Sequence, residues 1–136
     1  MANIMVNEAC NLRCPYCFAE EFVNKAPKEM TLEDFKKALE FVLSDDSDRQ
    51  VGIIGGEPLL YTHLDKAMRM ALSHPRSEFV MIYTNAVELD RMASDILEAK
   101  KFRMLVNCNS PEDMGEKAFE KMRQNLLAFY HDHYGA

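Results

Sequence analysis

The sequence lacks any long uninterrupted run of apolar residues, and its first residues lack the basic-then-apolar pattern of a secretory signal. A membrane-spanning helix needs roughly 18 or more consecutive apolar residues, and a signal peptide needs a positively charged segment followed by an apolar one. The first absence argues against a membrane protein. The second predicts a cytoplasmic location.

Basic residues are also scarce, with 16 Lys and Arg against 22 Asp and Glu and a net charge of -6. Nucleic-acid binding depends largely on lysine and arginine displacing counterions from phosphates, so this charge argues against a nucleic-acid partner. No low-complexity stretch or linker divides the 136 residues, of which 48% are hydrophobic and 28% charged. The composition therefore predicts a single globular domain over residues 1–136.

What the sequence does contain is an alternation of short β-rich runs with amphipathic helical patterns. The predicted strands are Asn3–Asn7, Val51–Ile54, Phe79–Tyr83 and Met104–Cys108. Four helices are predicted. The first begins at Thr31, and the second ends before Pro75. The third runs through Leu89–Leu97, and the fourth follows Ser110-Pro111 and extends through Tyr130. Repeated strand–helix order implies right-handed crossovers and a parallel sheet. The predicted class is therefore α/β, with a parallel sheet of about four βα units.

The unusual stretches of the sequence all come at the ends of predicted strands. They are the segment CNLRCPYC from Cys10 to Cys17, Gly55-Gly56-Glu57-Pro58, Thr84-Asn85, and Asn107-Cys108-Asn109. In parallel α/β folds the carboxyl ends of the strands share one edge, where ligands bind. The order of elements therefore predicts one shared site, although each of these threonine and asparagine residues taken alone is explained equally well as a strand-end polar residue.

Three of the four cysteines, Cys10, Cys14 and Cys17, lie close together in one loop. Without an export signal, clustered cysteines are more typical of reactive or metal-bound thiolates than of disulfides. Such spacing allows a loop to wrap an iron–sulfur cubane, and three thiolates leave one iron open to a cofactor or substrate. The alternative is a structural zinc site completed by Cys108 or a histidine. Cys108 itself is expected to be a small buried residue at a strand end.

At this loop the sequence resembles the radical S-adenosylmethionine (radical SAM) superfamily, whose signature is C-x3-C-x2-C with an aromatic residue before the last cysteine. Cys10, Cys14, Tyr16 and Cys17 fit that signature. The resemblance implies that the three cysteines hold a [4Fe-4S] cluster, with S-adenosylmethionine on the open iron and Tyr16 beside its adenine.

Two further stretches are similar to other motifs of the same family. Gly55-Gly56-Glu57-Pro58 resembles the second motif, which holds the amino group of the methionine moiety. Thr84-Asn85 resembles a third motif, although the family often has glycine where this chain has Ala86. Asn107 lies where related enzymes place a polar residue near the ribose or carboxylate. The resemblance implies that all of these residues bind the cofactor.

The resemblance also implies a reaction. An electron from a donor such as flavodoxin or ferredoxin would pass through the cluster and cleave S-adenosylmethionine to a 5'-deoxyadenosyl radical, which would remove a hydrogen atom from the substrate. The CNLRCPYCFA stretch is loosely similar to enzymes that modify peptides or mature other enzymes, which suggests a peptide or protein substrate.

The family's fold sets an expectation about the extent of the domain. Its members have about six strand–helix units in a partial, TIM-like barrel, a shortened relative of the eight-unit barrel. The chain resembles the front part of such a (β/α)6 barrel, so residues 1–136 are expected to be a truncated core domain. An unpaired strand edge and an uncovered inner face would favour self-association.

Two other functions are consistent with the sequence. Cys14-Pro15-Tyr16-Cys17 is also the active-site string of glutaredoxins, in which a thiolate attacks disulfides. That mechanism does not need Cys10, and the Thr-Val-Pro segment that normally faces such a site is absent. The chain could also be a non-catalytic fragment or interaction module without a cluster. Radical chemistry requires the exclusion of water, and part of a barrel is not expected to provide it.

Overall fold

The structure is a computed structural model that describes residues 1–9, 28–108 and 110–133. Cys10, Cys14, Tyr16 and Cys17 lie outside the described residues, so their roles stay predictions. None of the helices in the described part of the chain combines the length and the hydrophobicity that a bilayer span requires.

Four parallel strands form one sheet in the order β1-β2-β3-β4. They are β1 (Ala2–Met5), β2 (Gln50–Ile54), β3 (Phe79–Thr84) and β4 (Phe102–Val106). Ile4, Ile53 and Ile82 are buried and stand in register across the first three strands. The predicted α/β class and the parallel sheet are confirmed.

Helical segments connect and follow the strands. They are α1 (Leu32–Val42), a 3-10 turn (Pro58–Leu60), α2 (Leu64–Ser73), a second 3-10 turn (Leu89–Arg91), α3 (Ser94–Leu97), α4 (Pro111–Met114) and α5 (Glu116–His133). The core is one hydrophobic cluster that joins the buried faces of α1 and α2 to the sheet. Such a layered arrangement leaves the strand ends free to carry the site.

Helix α1 begins where the sequence predicts. Thr31 is its N-cap, and the Thr31 hydroxyl accepts a hydrogen bond from the Asp34 amide at 3.1 Å. Phe35 and Leu39, one turn apart, are the buried residues of this helix. Because the cap satisfies a donor that the first turn leaves unpaired, it fixes the start of α1.

The predicted helix through Leu89–Leu97 is wrong as a continuous element. Met92 and Ala93 have extended backbones, with ψ values of 138° and 144°, and they separate the second 3-10 turn from α3. The aspartate and serine side chains of this stretch compete for backbone hydrogen bonds and weaken helix propensity. The break also allows Leu89, Met92 and Ile96 to be buried together.

The predicted helix after Ser110-Pro111 is two helices. Ser110 caps α4 as expected, but Gly115 has a φ of 89° and ends that helix before α5 begins. A left-handed residue after a helix is a common stop, and glycine takes that conformation without a steric penalty. Tyr130, predicted on the apolar stripe, is 57% exposed because the last turns of α5 extend beyond the core.

The expected burial of Cys108 is wrong. Strand β4 begins and ends two residues earlier than predicted, at Val106, so Cys108 lies beyond the sheet and is exposed. A cysteine outside the sheet has no layer of side chains above it to bury its sulfur.

Candidate functional site

The carboxyl end of β1 continues beyond the strand and pairs with the Gly55-Gly56-Glu57 stretch. The Gly56 amide donates to the Asn7 carbonyl at 2.9 Å, and the Glu57 amide donates to the Ala9 carbonyl at 2.7 Å. Ala9 is the residue immediately before Cys10. The structure therefore places the second predicted motif directly beside the start of the cysteine segment, as the element order predicts.

The described residues on either side of positions 10–27 lie side by side. The Glu8 amide donates to the Lys28 carbonyl at 2.9 Å, and the Lys28 amide donates to the Glu8 carboxylate at 3.2 Å. An antiparallel bridge between Asn7 and Glu29 continues this pairing. Residues 7 and 8 are therefore paired with residues 28 and 29.

Gly55 and Gly56 are required here for close approach. A Cβ atom on Gly56 would lie 2.6 Å from the Glu8 carbonyl oxygen and closer still to that of Ala9. A Cβ atom on Gly55 would lie 2.9 Å from the Asn7 carbonyl oxygen and would overlap the Asn7 Oδ1 atom. Neither glycine has the left-handed φ that would make it a turn residue. Their role is to let two backbones meet, which only glycine permits at this spacing.

Glu57 is the buried acid of the site, with 2% of its surface exposed. Its Oε1 atom accepts hydrogen bonds from the Leu59 amide at 3.2 Å and from the Thr84 hydroxyl. Its Oε2 atom accepts one from the Asn85 amide at 2.9 Å. Burial raises the pKa of the Glu57 carboxyl above its ordinary value, and these donors offset part of that shift.

Pro58 is buried beside this acid. It opens the 3-10 turn that Glu57 caps, which is a favourable position for a residue that has no amide to donate. The Glu57–Pro58 pair therefore turns the chain into the 3-10 turn that follows β2.

A tight turn follows β3. The Ala86 amide donates to the Thr84 hydroxyl and the Val87 amide donates to the Asn85 side-chain oxygen, each at 3.0 Å. Ala86 is fully buried and has a φ of 63°, a left-handed conformation that costs a residue with a Cβ atom about 1–2 kcal/mol. Asn125 of α5 donates to the carbonyls of Ala86 and Val87 at 3.2 and 2.9 Å. The turn is strained and braced from several sides.

Asn107 joins the same edge through its backbone. Its amide donates to the Thr84 carbonyl at 2.9 Å, and its side chain is exposed. The structure therefore brings Gly55–Pro58, Thr84, Asn85 and Asn107 together at one edge of the sheet, as predicted.

Asn7 is a residue of this edge that sequence reasoning missed. It is 3% exposed, and its Nδ2 atom donates to the Glu57 carbonyl at 2.9 Å. Its Oδ1 atom is the one buried side-chain nitrogen or oxygen in the described ranges without a hydrogen-bond partner. Its position before the cysteines gave only a weak signal, because its importance depends on Gly55, which is distant in sequence.

In residues 1–9, 28–108 and 110–133, no three His, Cys, Asp or Glu side chains are grouped so that they could hold a metal ion. Cys108, the proposed fourth ligand of a zinc site, is exposed at the far end of the sheet edge, beyond β4.

Comparison with known families decides the kind of protein to which this edge belongs. A family model described as the Radical SAM superfamily matches residues 4–129. The chain belongs to the radical SAM superfamily. Members of this superfamily use a [4Fe-4S] cluster and S-adenosylmethionine as cofactors, and they are enzymes.

The curated relatives of this radical SAM chain include GTP 3',8-cyclases. The chain is 33% identical over 128 residues to the one from Sulfurimonas denitrificans, covering 91% of this chain and 40% of the relative. It is 36% identical over 96 residues to the one from Chlorobaculum tepidum, covering 71% of this chain and 28% of the relative. It thus spans less than half the length of these relatives.

Two solved structures share the fold. The crystal structure of BtrN in complex with AdoMet and 2-DOIA has a TM-score of 0.56 at 25% identity, covering 88% of this chain and 53% of BtrN. The crystal structure of Streptococcus suis SuiB has a TM-score of 0.62 at 19% identity, covering 95% of this chain and 30% of SuiB. The expected likeness to part of a TIM-like barrel is confirmed.

The described residues fit the cofactors of this radical SAM family. Gly55 and Gly56 let the second motif pack directly against Asn7, Glu8 and Ala9, and the orphaned Asn7 Oδ1 atom lies beside Gly55. Both features adjoin the residue before Cys10. Buried acceptors without a partner are uncommon in proteins, and a ligand site is one of the usual reasons for them.

Proposed function

We propose that residues 1–136 form the front portion of a radical SAM core domain in which Cys10, Cys14 and Cys17 hold the [4Fe-4S] cluster. The observation that supports this proposal is the pairing of Gly56 and Glu57 with Asn7 and Ala9, because it sets the second motif against the residue that precedes Cys10. The cluster and S-adenosylmethionine, when bound, supply a 5'-deoxyadenosyl radical that abstracts hydrogen.

The chain's own residues position and shield these groups. Gly55 and Gly56 hold the second motif, which would bind the methionine moiety, against the backbone of Asn7 and Ala9, and Tyr16 would flank the adenine. Thr84 and Asn85 form the wall at the end of β3, and the exposed side chain of Asn107 lies next to it, where it can reach the ribose or carboxylate. The pairing of Glu8 with Lys28 holds together the residues that flank positions 10–27.

The first test uses the cysteines. After anaerobic reconstitution with iron and sulfide and one-electron reduction with dithionite, the wild-type chain should give a cluster signal by electron paramagnetic resonance that shifts when S-adenosylmethionine is added. Replacing Cys10, Cys14 and Cys17 with alanine should abolish the signal and the formation of 5'-deoxyadenosine. Cys108→Ala is the matched control, because Cys108 is exposed and outside the motif. Retention of a cluster by the triple variant would contradict the proposal.

The same samples distinguish the other two functions. A brown protein supports the cluster, whereas a colourless protein with rapid disulfide exchange through Cys14 and Cys17 would support the glutaredoxin-like alternative. A colourless protein with neither property would support a non-catalytic fragment. Membership of the radical SAM superfamily favours the first outcome.

The substrate class has two candidates. The CNLRCPYCFA stretch favours a peptide or protein, whereas the GTP 3',8-cyclase relatives favour a purine nucleotide. A reaction driven by a flavodoxin or ferredoxin donor distinguishes the two candidates. The release of 5'-deoxyadenosine is measured in the presence of GTP, in the presence of a peptide mixture, and with neither added. Stimulation by GTP alone would select the nucleotide, and stimulation by peptides alone would select the peptide.

A further inference from the structure

The two ends of Glu57 face different neighbours at the centre of the sheet edge. Its backbone is directed towards β1, where the amide donates to the Ala9 carbonyl and the carbonyl accepts from Asn7 Nδ2. Its carboxylate is directed towards β3, where it accepts from Thr84 and Asn85. Ala9, the residue before Cys10, is therefore bound by the backbone of Glu57 and not by its carboxylate.

The carboxylate is already occupied by the protein. Both of its oxygens accept hydrogen bonds, and only 2% of the residue is exposed. A carboxylate that contacts a ligand ammonium needs an accessible oxygen with a free lone pair directed towards it. Here both oxygens are occupied by donors from Leu59, Thr84 and Asn85.

The groups that this carboxylate holds form the start of the strained turn after β3. Thr84 links the carboxylate to the turn, because its hydroxyl donates to Glu57 and accepts from the Ala86 amide. Ala86 then adopts the left-handed φ of 63°. Strained backbone persists only where the surroundings over-determine it, and such sites are often functional.

We propose that Glu57 is a positioning residue, whose carboxylate fixes Thr84, Asn85 and the turn after β3 at the cofactor edge and does not itself contact S-adenosylmethionine. This inference rests on the proposed function.

The test combines two variants in a double-mutant cycle on the reconstituted chain. Glu57→Gln removes the charge, whereas Thr84→Val removes the hydroxyl that donates to the carboxylate and leaves the charge intact. Thr84→Ser is the matched control because it keeps the hydroxyl. Affinity for S-adenosylmethionine is measured by titrating the shift of the cluster signal, with iron content measured for each variant so that cluster loss is not mistaken for weak binding.

If Glu57 is a positioning residue, Glu57→Gln and Thr84→Val each weaken binding, by up to about 100-fold for a misplaced site, and the double variant binds no more weakly than the weaker single variant. Thr84→Ser should bind like the wild type. Weak binding by Glu57→Gln with wild-type affinity in Thr84→Val would show that the carboxylate contacts the ligand. Losses that multiply in the double variant, or wild-type affinity in both single variants, would also overturn the inference.

A second measurement needs no cofactor. In the metal-free chain, both variants should speed hydrogen exchange of the Asn85 amide by about tenfold, because each disturbs the acceptor of that amide. Unchanged exchange would overturn the inference. If the wild-type chain forms no cluster, the proposed function fails, and this exchange result then decides the inference on its own.

Discussion

Substitution of Gly56 by alanine tests the packing on which the site depends. The new Cβ atom would lie 2.6 Å from the Glu8 carbonyl oxygen and nearer still to that of Ala9, and both obstacles are backbone. Removing this clash requires the two backbone segments to move apart, which breaks the Gly56–Asn7 and Glu57–Ala9 hydrogen bonds. At about 1 kcal/mol for each bond, with some additional strain, the free energy of unfolding should fall by about 2–3 kcal/mol.

The assay is thermal and urea unfolding of the metal-free chain, followed by circular dichroism. For a chain of this size the loss corresponds to a decrease in Tm of roughly 8–12 °C. Gly52→Ala is the matched control, because its Cβ atom would meet only the end of the exposed Asn3 side chain, which can rotate away, and the Tyr83 ring at 3.3 Å. The control should stay within about 1 kcal/mol of the wild type. Equal stability of Gly56→Ala and the wild type would refute the close-approach argument.

Three further predictions concern pH, the strained turn and the open sheet edge. Burial raises the pKa of the Glu57 carboxyl in the folded state above its ordinary value of 4.5. The contribution of this carboxyl to the free energy of unfolding is therefore fully present below pH 4.5 and is lost as the pH rises through the folded-state pKa. Glu57→Gln should therefore gain stability relative to the wild type as the pH rises over that window in urea titrations, and a constant difference would contradict this. Asn125→Ala removes both donors to the turn at Ala86 and should cost about 1–3 kcal/mol by urea unfolding, and a cost below about 0.5 kcal/mol would show that the turn needs no brace from α5. Leu105→Lys, on the exposed β4 edge, should reduce self-association in sedimentation experiments, whereas Phe41→Lys on α1 should not, and equal behaviour would place the contact elsewhere.

Much of the fold could be predicted because its causes are local. The N-cap at Thr31 depends on residues within one helical turn, and the parallel sheet follows from the alternation of strand and helix patterns. The convergence of Gly55–Pro58, Thr84, Asn85 and Asn107 followed from the same rule, since parallel strands end at one edge. Periodicity and element order were sufficient for these features.

The errors arose where tertiary packing decides. Met92 and Ala93 interrupt a stretch whose apolar spacing is helical, because burial of both flanking segments is better served by an extended link. Cys108 was predicted inside β4 because the sequence does not specify at which residue of this β-rich run the strand begins and ends. Gly115 could have been recognised as a helix stop from its type alone.

Asn7 and Glu57 show a different limit. The groups next to the Asn7 side chain are 48 or more positions away in the printed sequence, at Gly55 and Glu57. The carboxylate of Glu57 suggests a ligand by its charge, and only its three donors show that it is occupied within the protein. Charge predicts that a residue matters, whereas burial and partners determine how.

The pairing of Glu8 with Lys28 bears on the thermodynamics of metal uptake. When the ends of a loop are already held together, most of the entropy of loop closure is lost when the protein folds and not when iron binds. The affinity for iron should then depend on the arrangement of the sulfur atoms and little on the total contour of the loop, because each doubling of loop length adds only about 0.6 kcal/mol. Evolution can accordingly lengthen or shorten the stretch between Cys17 and Lys28, and so vary what surrounds the cofactor, at small energetic cost to metal binding.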